Sequence, residues 1–397
     1  MFLALTLTQR CDGVPEGVTS PDESQVAVIF ADAGMLQLRD EEEEATPEQT
    51  PEDATKPDNQ QAKQTPEGLA SLLHAEEADA EKEQGEDPDQ EEKPSGRHWH
   101  EMKVGLVVRM DSNQSETDPC PEIPDTFVDA QRVARIVRGM KKSAALQAED
   151  QSEEVGAEGD PENEQDLEEV FYEGPKLTNR QVVASRRSWP LFGALLACAA
   201  WLAGFALAPR KAFVADGARA IWRVWKRRFS SYVPILDFIH AMTYVYAAAK
   251  AVGEEAGNGW GLYAEWIRWM WQGKVDLVIQ KLKEWQEKKG KPEKGESKSS
   301  RRSVVARTVG YLVNNAGKMK YDDYRKKGLP IMSSLVESMV KQIGRRVKGT
   351  EKFWTEEGAE AILQLRADYL SDGDVMEGFW QRRQAAATGQ RSYRSRS

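Results

Sequence analysis

Three carboxylates stand where the pattern around them could support chemistry: Asp32, Asp216 and Glu337. Asp32 closes the apolar run VAVIFADA (26–33), and Asp216 follows the run KAFVA (211–215). In open α/β sheets, sites gather at the carboxyl ends of strands. Glu337 lies inside PIMSSLVESMVKQIGRRVK, an amphipathic helical pattern with Lys341 and Arg345 four and eight residues further on. Oxygen-only ligands select hard cations such as Mg²⁺ or Mn²⁺. Two such ions ~4 Å apart can activate a water or hydroxyl and stabilise the leaving oxygen of a phosphodiester. Each residue also has a plainer reading. An Asp at a strand end is often structural, and Glu337 with Lys341 is also the i,i+4 pair of a solvated helix face. Spacing alone leaves both open. Four histidines, with His98 and His100 at a strand start and His74 in a polar tract, are too scattered for a zinc enzyme, and no P-loop, GxSxG or GxGxxG is present.

The elements that must position these acids follow from hydrophobic pattern. Residues 26–33 read as a strand, Ala33-Gly34 as a turn and 35–39 as a second strand. Residues 99–110 form a third. A helix is expected at 125–140, an apolar helix at 190–208, a strand at 211–218, a helix at 218–229 and a strand at 233–238. Helical periods fill 239–290 and 301–326, with 290–300 as a linker, and helices at 332–347 and 355–370 close the fold. Strand–strand–strand–helix–strand–helix–strand, followed by helices, is the element order of an RNase H-like α/β core.

Charge is divided sharply along the chain. Residues 40–94 hold 20 acids and 4 bases, and 149–169 hold 11 acids and no base, whereas residues from 170 onward hold 40 Lys+Arg against 22 Asp+Glu. The net charge of −11 therefore describes inserts. Segments 40–97 and 145–170 are expected to be disordered, because they lack the apolar residues that would offset ordering entropy. The basic tail 381–397 is expected to be disordered too. A basic C-terminal half points to a polyanionic partner. Three scattered cysteines exclude a disulfide framework and a Cys-rich zinc site, and suit a reducing, cytoplasmic setting. The start, MFLALTLTQR, lacks a basic n-region and a small-residue cleavage site, so no signal peptide is expected.

The run WPLFGALLACAAWLAGFALA (189–208) has no charged residue. Its length would span a bilayer core, which makes a single-span membrane protein one reading. Its Ala and Gly content, Pro190 in the first turn and Pro209 after the end equally suit a helix buried in an α/β core.

The stretch YDDYRKKGLPIMSSLVESMVKQIGRRVKGTEKFWTEEGAEAILQLRADYLSDGDVMEGFW (321–380) resembles the C-terminal block of DDE transposases of bacterial insertion sequences, of the IS-Kra type. The resemblance extends to HEMKVG (100–105), FVADGARAIW (213–222) and ILDFIHA (235–241), and covers residues 25–39, 99–110 and 180–380. It implies an RNase H-like mixed sheet with an all-helical insertion between the second and third catalytic acids. The acids match Asp32, Asp216 and Glu337, which would bind two Mg²⁺ or Mn²⁺ ions. Asp237 and His240 match a D-x-x-H element after the second acid, as a structural hydrogen bond or a catalytic pair. The implied division is 1–39 for the first strands, 98–238 for the core, 239–326 for the helical insertion and 327–380 for the helices carrying the third acid.

The implied activity is metal-dependent DNA cleavage and strand transfer at insertion-sequence ends, by a nucleoid-associated homo-oligomer that needs no small-molecule cofactor. With a buried helix expected before the ADGA strand, the resemblance disfavours the membrane reading. The chain departs from the family in having Ala33 for the usual Gly and in its acidic inserts. Few residues precede Asp32, where such transposases carry a DNA-recognition region; a truncated, inactive remnant that only binds DNA is the alternative. Lys341, Arg345, Arg346 and Lys348 are candidates for holding a scissile phosphate, with a solvated basic face as the other reading. Trp222, Trp225, Trp260, Trp266, Trp269, Trp271 and Trp285, interleaved with Arg223, Lys226, Arg227, Arg228, Arg268, Lys281 and Lys283, could stack on unpaired DNA ends or build a core.

Overall fold

A computed structural model describes residues 17–38, 99–148, 174–348, 352–373, 376–377 and 380–381. The expected disorder of 40–97, 149–170 and 382–397 lies outside these residues. The elements are β1 (Gln25–Gln37), β2 (Trp99–Asp111), α1 (Ala130–Ala148), β3 (Lys176–Ser185), α2 (Trp189–Leu202), β4 (Lys211–Ala215), α3 (Arg219–Arg228) and β5 (Val233–Leu236). They continue as α4 (Phe238–Gly253), α5 (Gly259–Trp271), α6 (Val275–Lys289), α7 (Arg301–Asn315), α8 (Tyr321–Lys326), α9 (Ser334–Val347) and α10 (Glu356–Leu370).

The five strands form one mixed sheet in the order β3-β2-β1-β4-β5. β1 pairs antiparallel with β2 and parallel with β4, β2 pairs antiparallel with β3, and β4 pairs parallel with β5. β1 is the central strand, covered on both faces, which is why it reads as a nearly continuous apolar run. Its alternate side chains separate two cores. Ala27, Ile29 and Ala31 meet Phe192, Leu196 and Ala199 of α2 and Ile221 and Val224 of α3. Val26, Val28 and Phe30 share the opposite core with Val336, Met339 and Ile343 of α9 and with the helices α4 to α8.

The chain is mixed α/β as expected, but the element order departs from expectation: α1 stands between the second and third strands. The predicted turn at Ala33-Gly34 does not form. β1 runs unbroken through it, pairing Ala33 with Lys103 and Gly34 with Met102 of β2. The third strand is instead β3, an edge strand. Four exposed residues begin it and its buried ones come at the end, so the pattern is faint in sequence. α1 extends to Ala148, so the second acidic stretch starts later than 145.

The apolar helix is also shorter than expected. α2 stops at Leu202; Gly204 adopts a left-handed conformation (φ 78°), and a 3-10 turn at Phe205–Leu207 follows. Pro190 occupies its first turn, and Phe192 and Leu196 are buried against the sheet. Among the described residues, no helix is long and apolar enough to cross a membrane. The single-span reading of 189–208 is therefore corrected: the segment breaks into a helix and a turn that cover one sheet face.

Helices α4 to α8 form their own packed layer between β5 and α9. Trp266 and Trp271 are buried in it. Trp271 packs edge-on against Phe238 at 5.2 Å, its Nε1 donates to the Cys120 carbonyl at 2.8 Å, and the Arg325 guanidinium lies 4.0 Å from its ring. Arg325 is also paired with Asp118. This layer is thereby fastened to the loop between β2 and α1.

Candidate metal centre

Asp32 lies in the middle of β1 rather than at a strand end. Its even number sets its side chain on the face of Val26, Val28 and Phe30, since strand residues alternate. That face carries α9. β1 and α9 approach closely at Gly34, where an added Cβ would lie 2.7 Å from the Met102 Cε and 3.0 Å from Val340 Cγ1. The glycine first read as a turn signal is a contact requirement. On the other flank, β1 pairs with β4 up to Phe30↔Val214. Asp32 stands two residues beyond that last pair on β1, and Asp216 two residues beyond it after β4.

Asp216 follows β4 directly and is held in a tight turn. Its Oδ1 accepts the Ala218 N–H at 2.9 Å, its carbonyl accepts the Tyr311 hydroxyl at 2.7 Å, and Gly217 takes φ 108°. Glu337 sits in the first turn of α9, where the helix dipole favours negative charge. Its Oε1 lies 3.4 Å from the Ser333 hydroxyl.

The acids also act on one another electrostatically. Burial, then the charges of Asp216 and Glu337, push the Asp32 carboxyl up to about 7, against partial relief from His240 and from the Ala33 N–H, which donates to Oδ1 at 2.7 Å. Burial also raises the Glu337 carboxyl, offset in part by His240 and Lys341. The charges of Asp216 and Glu337 are thus both felt at Asp32, where His240 offsets them only in part.

Asp237 and His240 adjoin the same place. Asp237 is fully buried and caps α4: its Oδ2 accepts the His240 backbone N–H at 2.8 Å and lies 2.7 Å from His240 Nδ1. Its Oδ1 accepts the Ser333 N–H at 2.6 Å. Asp237 therefore joins the start of α4 to the start of α9. His240 Nδ1 is 3.8 Å from Glu337 Oε1. Burial opposes a charged imidazole, but the hydrogen bond and charge of Asp237, with the charges of Glu337 and Asp216, raise His240 to about 10.

Asp237, His240 and Glu337 offer donor atoms within 4.8 Å of one another and could hold a metal ion. An ion there must displace the His240 proton and compete with the hydrogen bonds of both Asp237 oxygens, since metal ligands bind deprotonated. Beside Asp32, by contrast, a cation relieves the repulsion among like charges that raises this carboxyl. The donors there are carboxylate oxygens, the set that fits Mg²⁺ or Mn²⁺.

The basic candidates continue along α9 from Glu337. Lys341, Arg345 and Arg346 are exposed, whereas Lys348 is half-buried with its Nζ 5.9 Å from the Trp99 ring, and burial lowers its pKa. The tryptophans divide. Trp266 and Trp271 are core, which removes them as stacking platforms; Trp222, Trp225, Trp269 and Trp285 are half-buried, and Trp260 is exposed. Trp222 lies under Lys318 Nζ at 4.6 Å, and Trp225 Nε1 donates to the Tyr232 carbonyl at 3.0 Å. The sequence pattern does not single out Tyr311 or Ser333, which act across long sequence separations that leave no local trace.

No protein-family model matches the chain, and no curated protein or solved structure matches it.

Proposed function

We propose that this chain is a polynucleotidyl transferase of the DDE transposase type, cutting and joining DNA at three carboxylates. The observation that carries the reading is the environment of Asp32: a part-buried acid whose carboxyl is pushed up to about 7 by its own burial and by Asp216 and Glu337. Such an excess of like charge costs stability in the absence of a cation, and perturbed carboxylates of this kind cluster at functional sites. The strand order β3-β2-β1-β4-β5, with β2 antiparallel and β4 parallel to β1, supports an RNase H-like core. The helical layer between Asp216 and Glu337 agrees with the insertion that the sequence resemblance implies.

In this reading Asp32 and Asp216 offer neighbouring oxygens from adjacent strands, and Glu337 closes the set from the facing helix. Bound there, a divalent cation would supply Lewis-acid polarisation of a phosphodiester and lower the pKa of the attacking hydroxyl. Asp237 holds His240 and the N-terminus of α9, and with them Glu337, in position. Lys341, Arg345 and Arg346 offer positive charge to phosphates along the exposed face of α9. Water attacks the phosphorus, the P–O bond to the 3′ oxygen breaks, and the freed 3′-hydroxyl then attacks a target phosphodiester, displacing its 3′ oxygen in turn.

The test is nicking of a DNA fragment carrying the ends that flank the coding sequence. Cleavage should require Mg²⁺ or Mn²⁺ and fall by at least about 10²-fold in Asp216→Asn, as when a principal transition-state stabiliser is removed. Undiminished cleavage by the variant would discard the carboxylate assignment. Salt-sensitive binding of those ends without any cleavage by the wild type would favour the DNA-binding remnant.

A further inference from the structure

Tyr311 lies on α7, in the helical layer, 95 residues from the acid whose backbone it touches. Its hydroxyl donates to the Asp216 carbonyl at 2.7 Å, and it is 5% exposed. The ring is fixed independently of that bond. It stacks on Tyr244 of α4 with centroids 3.8 Å apart and planes 8° from parallel. On its other side it closes on Gly217, where an added Cβ would lie 2.8 Å from Tyr311 Cε2 and 3.1 Å from its hydroxyl oxygen. Gly217 also adopts φ 108°, which side chains other than hydrogen resist. A glycine turn is conformationally loose by itself. Here one face of it is pressed by a ring, and the preceding carbonyl is pinned by a hydroxyl.

Those constraints reach the carboxylate. The Asp216 side chain already spends Oδ1 on the Ala218 N–H, which ties its direction to the backbone of the turn. Holding the carbonyl therefore holds the direction in which Oδ2 points. The neighbouring Ala215 carbonyl is separately taken by the Asp237 N–H at 2.8 Å. Two successive carbonyls at the end of β4 are thus answered by groups that begin and belong to the helical layer.

We infer that Tyr311 is the positioning residue for Asp216, and that through it the helical layer sets the geometry of the carboxylate centre. The inference rests on the proposed function in so far as Asp216 is a cation ligand. A ligand oriented by a neighbouring hydrogen bond binds its ion more tightly than a free one, because the orientation is not ordered at the moment of binding. The layer would then be required for a complete centre through more than the imidazole of His240 that it carries on α4.

The test is Mn²⁺ affinity of the full chain, read as the loss of the free-ion electron paramagnetic resonance signal. Four proteins are compared: wild type, Asp216→Asn, Tyr311→Phe and Tyr263→Phe. Tyr263 is the matched control, a buried tyrosine of the same layer whose hydroxyl donates to the Phe127 carbonyl at 2.9 Å, away from the acids. Tyr311→Phe keeps the stacked ring and should weaken Mn²⁺ binding about tenfold, the lower end for losing a group that orients a ligand. Tyr263→Phe should leave the affinity unchanged. Replacing Tyr311 by p-aminophenylalanine, which restores an N–H donor at the same point, should recover most of the loss; this arm also serves if the phenylalanine variant folds poorly. Wild-type affinity in Tyr311→Phe, or an equal loss in Tyr263→Phe, overturns the inference while Asp216→Asn still shows the centre to be real. If Asp216→Asn binds Mn²⁺ like the wild type, it is the reading of Asp216 as a ligand that fails.

Discussion

Asp118 and Asp32 are both acids drawn toward the interior, and their surroundings answer the charge in opposite ways. Asp118 Oδ1 receives Arg325 Nε at 2.9 Å and the Cys120 N–H at 3.0 Å, and Oδ2 receives the second guanidinium nitrogen. Burial works to raise its pKa, but these bonds and the Arg325 charge outweigh burial and hold the carboxyl below its ordinary range. Asp32 has the Ala33 N–H and, for charged neighbours, two more carboxylates that His240 only partly offsets. One acid is answered by its own chain, and the other faces like charges that its neighbours offset only in part. A fold that answers Asp118 so fully has no general difficulty in pairing acids. The imbalance at Asp32 is therefore specific to its place.

That contrast can be broken most forcefully at Arg325, which is 1% exposed and serves both Asp118 and the Trp271 carbonyl. Arg325→Met removes one side of a buried pair, and urea unfolding should register a loss of about 3–5 kcal/mol. A loss well under 1 kcal/mol would mean that Asp118 is as weakly answered as Asp32.

At Asp32 the sign should reverse. In EDTA at pH 8, Asp32→Asn should stabilise the protein, on the order of 1 kcal/mol after discounting for partial solvent access. The reason is linkage. With the folded pKa near 7 and an unfolded value of 3.8, the folded state binds the proton more tightly. The metal-free wild type therefore loses stability as pH rises from about 4 to about 7 and then levels off, and the variant lacks that part of the slope. At pH 4 the two should coincide. Mg²⁺ at 100 times its Kd should add about 2.7 kcal/mol to the wild type and less to the variant. A metal-free Asp32→Asn that is less stable at pH 8 would show that the acid is paired after all.

The smallest effects on stability belong to the exposed bases beyond Glu337. Lys341→Ala, Arg345→Ala and Arg346→Ala should each change stability by under about 0.5 kcal/mol. If each contacts one phosphate, the slope of log K against log salt for DNA binding should fall by about 0.9 per residue removed. Unchanged slopes would return this helix face to the solvent.

Much of the local structure was legible in residue pattern. The strand before Asp216, the helices on either side and the amphipathic helix bearing Glu337 all stand close to where apolar periodicity put them, because each has one face or both buried and is short enough for the pattern to stay in phase. The D-x-x-H spacing of Asp237 and His240 is likewise local: an Asp that caps a helix reaches the N–H three residues on, as Oδ2 does here. β3 escaped notice because an edge strand needs few apolar residues, and the break in α2 after Leu202 because nothing polar separates Trp201-Leu202 from Phe205.

What sequence determined by itself was therefore which acids exist and which elements carry them; tertiary structure decided where those acids face. Ala33-Gly34 has the composition of a turn, yet thirteen residues of β1 pair along β2 and outweigh it, and the glycine serves the close approach of α9 instead. That continuity fixes the parity of Asp32 and turns it toward Glu337 rather than toward α2. The second oxygen of Asp237 is claimed by Ser333, 96 residues away, and the carbonyl of Asp216 by Tyr311. Periodicity carries information over a few turns of chain. Register, face and long-range hydrogen bonds are properties of the packed sheet, and they alone let carboxylates far apart in the chain act on one another's charge.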